Sequence, residues 1–207
     1  MTDINAFAAI PPTTFADVLG REQVLDIGIR PLWPDVPRIA GPAFTVRVPP
    51  GDNLMVHAAI YRAAPGSIIV VEAGDVDYAV AGGNVLAVAK RNGIAGFVVD
   101  GVIRDLAEAR EAGMPVFARG VIPIPGVKSA VLSLNGTVRC GGVNVTGGDI
   151  VVADEEGIVV TPLARQQEIL AKAQAKLAKD EAETLDEWEA AHRAKIGKLL
   201  AEGGFTG

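Results

Sequence analysis

Residues 82–108 read GGNVLAVAKRNGIAGFVVDGVIRDLAE, and this stretch decides the fold. It predicts a Gly-rich turn at residues 82–83, a helix over Val85–Arg91 and an apolar strand over Gly96–Asp100. Arg104 and Asp105, a cation and a carboxylate side by side, follow that strand. A helix between buried strands predicts an α/β domain, and the charged pair marks a candidate functional site.

The flanking sequence continues this alternation of strands and helices. Three apolar or β-branched runs predict further strands: Ala43–Val48, Ser67–Val71 and Pro115–Ala118. Two further helices are predicted, one capped by Asp52 or Asn53 and running to about Ala64, the other over Leu106–Glu111. We therefore expect a parallel or mixed sheet.

The sequence after Pro125 has a different character. Short runs between NG, GG, GGD and EEG turns predict an antiparallel β-meander or small barrel with strands over Ser129–Leu134, Thr137–Cys140, Val143–Val145, Ile150–Ala153 and Ile158–Val160. Residues 163–207 contain no Pro and predict one long helix, or two with a break near Asp186. We divide the chain into a domain over 1–161 and a C-terminal helical arm over 162–207. The sparse apolar residues of the arm favour a position across a neighbouring subunit over one on the surface of its own domain.

Composition limits the classes of function. The 207 residues suffice for one sizeable core, and 49% of them are hydrophobic. The net charge of -6 leaves no basic surplus to attract phosphate groups, so we expect no nucleic-acid partner. A single Cys140 forms no internal disulfide and fits a reducing cytoplasm. The sequence lacks a signal-peptide pattern and any apolar run near the roughly 18 residues of a membrane span, so we expect a soluble, cytoplasmic protein without membrane contact.

Arg104 and Asp105 can bind an anion and a metal together. An Arg side chain can bind a carboxylate through two parallel hydrogen bonds, and a single Asp together with water molecules is a suitable ligand set for Mg²⁺ or Mn²⁺. The alternative from spacing alone is a structural ion pair with Asp105 as the N-cap of the following helix. Gly82 and Gly83 can present free backbone N–H groups to an anion, or they form an ordinary strand-to-helix turn. Their spacing is not that of a dinucleotide-binding motif.

The other polar side chains that we considered give weaker signals. His57 and His192 are far apart and lack zinc-ligand spacing, and we interpret His57 as a packed or surface residue. Lys90 and Lys128 are interpreted as solvated. Cys140 has no neighbouring base, so we expect it to be buried and inert.

Three segments together resemble a known enzyme family. They are IRPLWPDVPRIAGPAFTVRVPPGDNLMVHAAIYRAAPGSIIVVEAG, GIAGFVVDGVIRDLAEAREAGMPVFARG and GGDIVVADEEGIVVTP. The resemblance is to the class II, divalent-metal pyruvate aldolases that act on 4-hydroxy-4-methyl-2-oxoglutarate and 4-carboxy-4-hydroxy-2-oxoadipate. That family shares its fold with the regulator of ribonuclease E activity A. Its signature of Gly, twenty residues, Arg-Asp, two residues and an acid is present as Gly83, Arg104-Asp105 and Glu108.

This resemblance implies a layered α/β/β domain with a mixed sheet and β-meander, plus a long C-terminal helix. It implies that Asp105 anchors Mg²⁺ or Mn²⁺ and that Arg104 holds the pyruvyl oxygens. Substrate binding would involve Gly82, Gly83, Asn84, Val85 and Arg104, with backbone N–H groups cradling the pyruvyl carboxylate. The implied reaction is cleavage of a 4-hydroxy-2-oxo di- or tricarboxylate to pyruvate in aromatic-acid catabolism, accompanied by oxaloacetate decarboxylation.

One position departs from the family. Many of its aldolases carry an acidic residue where this chain has Gly83. Glu108 or a carboxylate from elsewhere then takes over the proton transfer, or the enzyme is weak or uses a related 2-oxo acid. The resemblance also implies a Glu from the C-terminal helix of a neighbouring subunit at the metal, and Glu189 matches that region loosely.

The resemblance implies assembly as a homotrimer or homohexamer, with the helical arm crossing between subunits and the site lying between them. The rival function on the same scaffold is that of a non-catalytic regulator binding the ribonuclease E machinery. The complete signature at Arg104, Asp105 and Glu108 favours the enzyme.

Overall fold

A seven-stranded mixed sheet forms the centre of the protein, whose computed structural model describes residues 3–205 and 207. The strands are β1 (Arg30–Pro31), β2 (Ile39–Arg47), β3 (Ile68–Glu72), β4 (Gly96–Ile103), β5 (Val116–Val121), β6 (Thr137–Cys140), β7 (Val143–Thr146), β8 (Ile150–Asp154) and β9 (Gly157–Thr161). Their order in the sheet is β1-β5-β4-β3-β2-β8-β9, and β6 pairs with β7 in a separate hairpin. Strands β2 to β5 run parallel, while β1, β8 and β9 are antiparallel to their neighbours.

The described residues form seven α-helices. They are α1 (Ile4–Ala8), α2 (Pro12–Val18), α3 (Leu54–Ala59), α4 (Gly83–Arg91), α5 (Leu106–Glu111), α6 (Gln166–Ala182) and α7 (Leu185–Glu202). Helix α5 has the predicted bounds, whereas α3 ends at Ala59 instead of Ala64. None of the helices in the described part of the chain is both long and apolar enough to cross a bilayer.

Both faces of the parallel strands are buried, which explains their continuous apolar sequences. Ile69 and Val71 of β3 pack with the core that includes residues of α3, α4 and α5, while Ile68 and Val70 face the core that includes the β6–β7 hairpin. Side chains alternate between faces along a strand, so every position of such a run meets a hydrophobic neighbour. The resulting layers of helices, sheet and hairpin confirm the predicted α/β class with a mixed sheet and C-terminal helices.

The C-terminal region forms two helices with different environments. Helix α6 buries Ile169 and Ala173 completely in a core shared with α1, α2, β8 and β9, whereas α7 has no buried residue. The helices separate just before Leu185 because Thr184 and Glu187 form a reciprocal capping box. The division at residue 161 stays a prediction, and residues 1, 2 and 206 within it lie outside the described residues.

The predicted strand over Ser129–Leu134 is wrong, because no strand forms there. The backbone N–H groups of Ser129 and Ala130 donate to the carboxylate of Asp52 at 2.8 and 3.0 Å, so they are not available to a sheet ladder. Cys140 is fully buried, as expected. This burial raises the pKa of its thiol, and the negative charge of the nearby Asp100 raises it further.

Candidate active site

The candidate site lies where the carboxyl ends of β2 to β5 meet. In open α/β sheets, ligands bind in the crevice outside these strand ends. The connections that leave these strands line a cavity of about 210 Å³. Its walls are Asn53, His57, Ala79, Ala81, Gly82, Asn84, Val85, Arg104, Asp105, Pro125 and Lys128. Because pockets for drug-sized ligands span roughly 300–1,000 Å³, this cavity suits a small metabolite.

The Gly82-Gly83 turn forms one wall and begins α4. Gly82 occupies the N-cap position of α4 and has no side chain that could accept a hydrogen bond from the first turn. The first N–H groups of α4 therefore need other partners. The Gly83 N–H donates to Oδ2 of Asp105 at 3.1 Å. The N–H groups of Asn84 and Val85 have no hydrogen-bond partner within residues 3–205 and 207. A helix N-terminus with free N–H groups favours an anion in the pocket.

Asp105 is held in an unusual conformation. Its backbone is left-handed, with φ 56° and ψ 48°, which costs a non-glycine residue about 1 kcal/mol. It occupies the N-cap position of α5, but its side chain makes no cap hydrogen bond. The structure therefore has the N-cap position and the ion pair with Arg104 that the alternative describes, but not a side-chain cap. The carboxylate points instead to the Gly82-Gly83 turn, where a Cβ on Gly82 would lie 2.5 Å from Oδ2.

Arg104 is anchored by its backbone and leaves most of its guanidinium free. Its N–H donates to the carbonyl of Ala81 at 2.9 Å, which ties the end of β4 to the glycine turn. Its Nε lies 3.4 Å from Oδ2 of Asp105, and the side chain is 40% exposed. The described residues supply no other ion-pair or hydrogen-bond partner to this guanidinium. Its N–H groups can therefore donate hydrogen bonds to a ligand carboxylate or enolate oxygen.

Glu108 fills the space that a side chain at position 83 would need. A Cβ added to Gly83 would overlap Oε2 of Glu108 and would lie 2.7 Å from its Cβ. Glu108 is outside the lining of the cavity, but its carboxylate lies over the backbone of the glycine turn. Two carboxylates, those of Asp105 and Glu108, thus flank Gly82 and Gly83. Position 83 has no acidic side chain, but the carboxylate of Glu108 occupies the space that such a side chain would fill.

Three polar lining residues were not identified as site residues from the sequence: Asn53, His57 and Lys128. The interpretation of Lys128 as merely solvated and of His57 as packed or on the surface missed their place in the pocket. Burial lowers the pKa of His57, and the positive charges of Lys128 and Arg104 lower it further, which favours the neutral imidazole. Their position in the chain could have identified them as site residues, because all three follow the carboxyl end of β2 or β5.

The carboxylates fit a hard divalent cation held by few protein ligands. No cluster of three or more His, Cys, Asp or Glu side chains among residues 3–205 and 207 has metal-binding geometry. Mg²⁺ accepts one or two carboxylates and completes its shell with water and substrate oxygens. Asp105 suits that mode, because its Oδ1 has no partner among the described residues. Glu189 lies on α7 outside the pocket, in an ion pair with Arg193 at 2.7 Å.

Comparison with known proteins identifies the family. A family model described as RraA-like, Aldolase/RraA, matches residues 7–160. The chain belongs to the RraA-like family. A relative from Halalkalibacterium halodurans, named "Putative 4-hydroxy-4-methyl-2-oxoglutarate aldolase", is 42% identical over 180 residues, covering 86% of this chain and 85% of the relative.

Solved structures of RraA proteins share the fold. The Streptomyces coelicolor protein RraAS2, described as an unusual member of the RNase ES inhibitor RraA family, matches with a TM-score of 0.76 and 30% identity, covering 86% of this chain and 93% of that one. The RNA-processing inhibitor RraA from Thermus thermophilis matches with a TM-score of 0.66 and 28% identity over 72% of this chain and 91% of its own.

Proposed function

We propose that this RraA-like protein is a metal-dependent lyase that cleaves a 4-hydroxy-2-oxo di- or tricarboxylate and releases pyruvate. The proposed substrates are 4-hydroxy-4-methyl-2-oxoglutarate and 4-carboxy-4-hydroxy-2-oxoadipate. One observation carries the proposal: Arg104, Asp105 and the unpartnered N–H groups of Asn84 and Val85 meet in one small pocket. The similarity to the aldolase-named relative supports the same class of reaction.

The proposed cleavage places negative charge where Arg104 can stabilise it. The C4 hydroxyl gives its proton to a base, proposed below as Glu108, and its oxygen forms the C4 carbonyl. The C3–C4 bond breaks, its electron pair forms the C2=C3 double bond, and the C2 carbonyl oxygen becomes the enolate oxygen. C3 then takes up a proton to give pyruvate, while C4 becomes the carbonyl carbon of the second product. Donors fixed in advance near such a developing oxyanion lower the barrier, because they need no reorganisation during the reaction. The free N–H groups at the start of α4 hold the pyruvyl carboxylate.

Asp105 would hold the divalent cation, Mg²⁺ or Mn²⁺. When bound, such an ion supplies Lewis-acid stabilisation of the enolate oxygen. The Gly83 N–H donates to Oδ2 of Asp105, which leaves Oδ1 available to the ion. Glu108 would carry the proton-transfer role that an acid at position 83 has in related enzymes. Its carboxylate already overlaps the volume of such a side chain.

Oxaloacetate decarboxylation is proposed as a second activity of the same site. Loss of CO₂ from oxaloacetate breaks its C3–C4 bond and leaves the same pyruvate enolate. The groups that stabilise one enolate therefore stabilise the other, and no further residue is required.

Assembly also stays a proposal. We propose a homotrimer or homohexamer in which α7 crosses to a neighbouring subunit and brings Glu189 to its metal. The exposure of this helix supports the idea, because it packs no residue into the core of its own chain. Cytoplasmic location and a role in aromatic-acid catabolism are proposed on the same resemblance.

A second candidate function is regulation of ribonuclease E by direct binding. The similarity to structures described as RNA-processing and RNase ES inhibitors favours it. The presence of Arg104, Asp105 and Glu108 around one glycine turn favours the enzyme, because a binding surface for another protein has no need of them.

The test is pyruvate release from oxaloacetate and from 4-carboxy-4-hydroxy-2-oxoadipate, with Mg²⁺ and with EDTA. We expect release with Mg²⁺ and its loss in EDTA. The exposed Asp77→Asn variant, which changes a carboxylate outside the pocket, serves as the matched control and should retain full activity. No release from either substrate with any divalent metal would reject the lyase. Calorimetric binding of the inactive protein to purified ribonuclease E would then support the regulator.

A further inference from the structure

Two Asn-Gly pairs occur in the chain, Asn92-Gly93 and Asn135-Gly136, and both lie outside the lining of the candidate active site. In such a pair the backbone nitrogen of the glycine can attack the side-chain amide of the asparagine, because glycine has no Cβ to obstruct the approach. The reaction, deamidation, replaces the amide by a carboxylate. Since it depends on local geometry, the surroundings of the two pairs decide which of them reacts in the folded protein.

The Asn92-Gly93 pair follows α4 and is held by hydrogen bonds at both reacting groups. The Gly93 N–H donates to the carbonyl of Lys90 at 3.0 Å. The Asn92 Nδ2 donates to the carbonyl of Ile60 at 2.7 Å, and Asn92 is partly buried. The nitrogen that would attack and the amide that would be attacked are therefore both engaged. The fold protects this pair.

The Asn135-Gly136 pair precedes β6 and leaves the attacking nitrogen free. Both residues are exposed. The Gly136 N–H has no hydrogen-bond acceptor among the residues that the structure describes. Water therefore reaches this peptide nitrogen and can take its proton, which is the first requirement of the reaction.

The side-chain amide of Asn135 has its carbonyl oxygen on a fixed donor. The Thr45 N–H donates to Oδ1 of Asn135 at 3.4 Å, and Thr45 lies fully buried in β2. Gly147 leaves room for this amide, since a Cβ at that position would lie 2.2 Å from Oδ1. Attack on the amide turns Oδ1 into an oxyanion, and a donor that is fixed in advance stabilises it.

We propose that Asn135 is a self-modification site at which the folded protein deamidates, while Asn92 stays intact. The Gly136 nitrogen loses its proton to water and bonds to Cγ of Asn135, and the Nδ2 group leaves with a proton as ammonia. The product is a five-membered succinimide ring. One water molecule then opens the ring at either carbonyl and yields aspartate or isoaspartate. No atom is oxidised or reduced, water is the only co-reactant, and the reaction is independent of the proposed lyase activity.

The isoaspartate product would detach this turn from β2. Two hydrogen bonds to Thr45 flank the modified linkage: the Asn135 N–H donates to the Thr45 carbonyl at 2.8 Å, and the Thr45 hydroxyl donates to the Gly136 carbonyl. In isoaspartate the backbone passes through Cβ and Cγ and is one atom longer between these two bonds. The longer chain cannot keep both of them, whereas the aspartate product retains the original backbone.

The test follows both pairs by mass spectrometry in wild type that is kept folded in mildly alkaline buffer. Trypsin releases residues 129–139 and 92–104 as separate peptides. A gain of one dalton is expected in the peptide 129–139 only, and in both peptides when the protein is incubated in urea. Gly136→Ala is the control and should abolish the gain, because an added Cβ meets no atom within 4 Å and leaves the fold intact. No gain in the folded protein, or equal gains in the two peptides, would overturn the assignment.

Urea unfolding tests the consequence for the fold. The isoaspartate fraction, separated by ion exchange and identified by electron-transfer fragmentation, should unfold at a lower urea concentration than fresh wild type. Asn135→Asp introduces the charge without lengthening the backbone and should unfold together with fresh wild type. Equal unfolding midpoints for the isoaspartate fraction and fresh wild type would overturn the role of the two Thr45 hydrogen bonds.

Discussion

Asp52 should stabilise both the fold and the position of Lys128. This carboxylate is 3% exposed and accepts hydrogen bonds from the Leu54 N–H at 2.8 Å and from the Ser129 hydroxyl at 2.7 Å. It also accepts the N–H groups of Ser129 and Ala130. Burial raises the pKa of Asp52, but these hydrogen bonds outweigh it and lower the pKa from 3.8 to about 2. The folded protein therefore holds this carboxylate in its charged form.

The shift gives the magnitude and its pH dependence. A difference between 3.8 in the unfolded chain and about 2 in the folded protein corresponds to roughly 2.4 kcal/mol at neutral pH. Because the folded pKa is the lower one, this stabilisation is present above about pH 4 and is lost as the pH falls toward 2. By linkage, about half of it should be gone at pH 3.

The assay is urea unfolding of wild type and Asp52→Asn between pH 7 and pH 3, followed by circular dichroism. At pH 7 the variant should lose about 2–3 kcal/mol, since an amide cannot accept all of these hydrogen bonds. The difference between the two proteins should shrink below pH 4. Asp77→Asn, at an exposed carboxylate, is the control and should change stability by less than about 0.5 kcal/mol. A loss at pH 7 no greater than that of the control would refute the reasoning.

Three further substitutions test the geometry of the glycine turn and the role of the Arg104 guanidinium. Gly83→Ala should destabilise the fold by about 1–3 kcal/mol in urea unfolding. Adding Glu108→Ala to this variant should recover only part of the lost stability, because the Cβ at position 108 remains 2.7 Å from the new methyl group. Additive losses of stability in the double variant would contradict this. Arg104→Lys should lower kcat/KM for pyruvate release at least about tenfold while leaving stability unchanged, because an ammonium group cannot replace the planar fork; an unchanged kcat/KM would exclude the proposed substrate contact.

The regular elements followed from the sequence where local signals and burial agree. The strands with continuous apolar runs were predicted correctly because both faces of the sheet are buried. Helix α5 was predicted from the sequence of Leu106–Glu111 itself. The segment Ser129–Leu134 was mispredicted because its N–H groups bond to the Asp52 side chain, which lies 77 residues away from Ser129 in sequence. No local pattern encodes such a distant acceptor.

The site was predictable only in part for a similar reason. Arg104 and Asp105 are adjacent in sequence, and the family signature singles them out together with Gly83 and Glu108. His57 and Lys128 enter the same cavity through the parallel order of β2 to β5, which brings different strand ends to one edge. The left-handed backbone of Asp105 also depends on that tertiary context.

The most direct test of the account is exchange of the C3 protons of pyruvate in D₂O, followed by proton NMR, for wild type and Asp105→Ala. It measures enolate formation alone, whatever the second half of the natural substrate is. The account predicts exchange that requires Mg²⁺ or Mn²⁺ in wild type and falls to the rate without enzyme in a folded Asp105→Ala protein. Exchange at equal rates in both proteins, or no metal-dependent exchange in wild type, would contradict it.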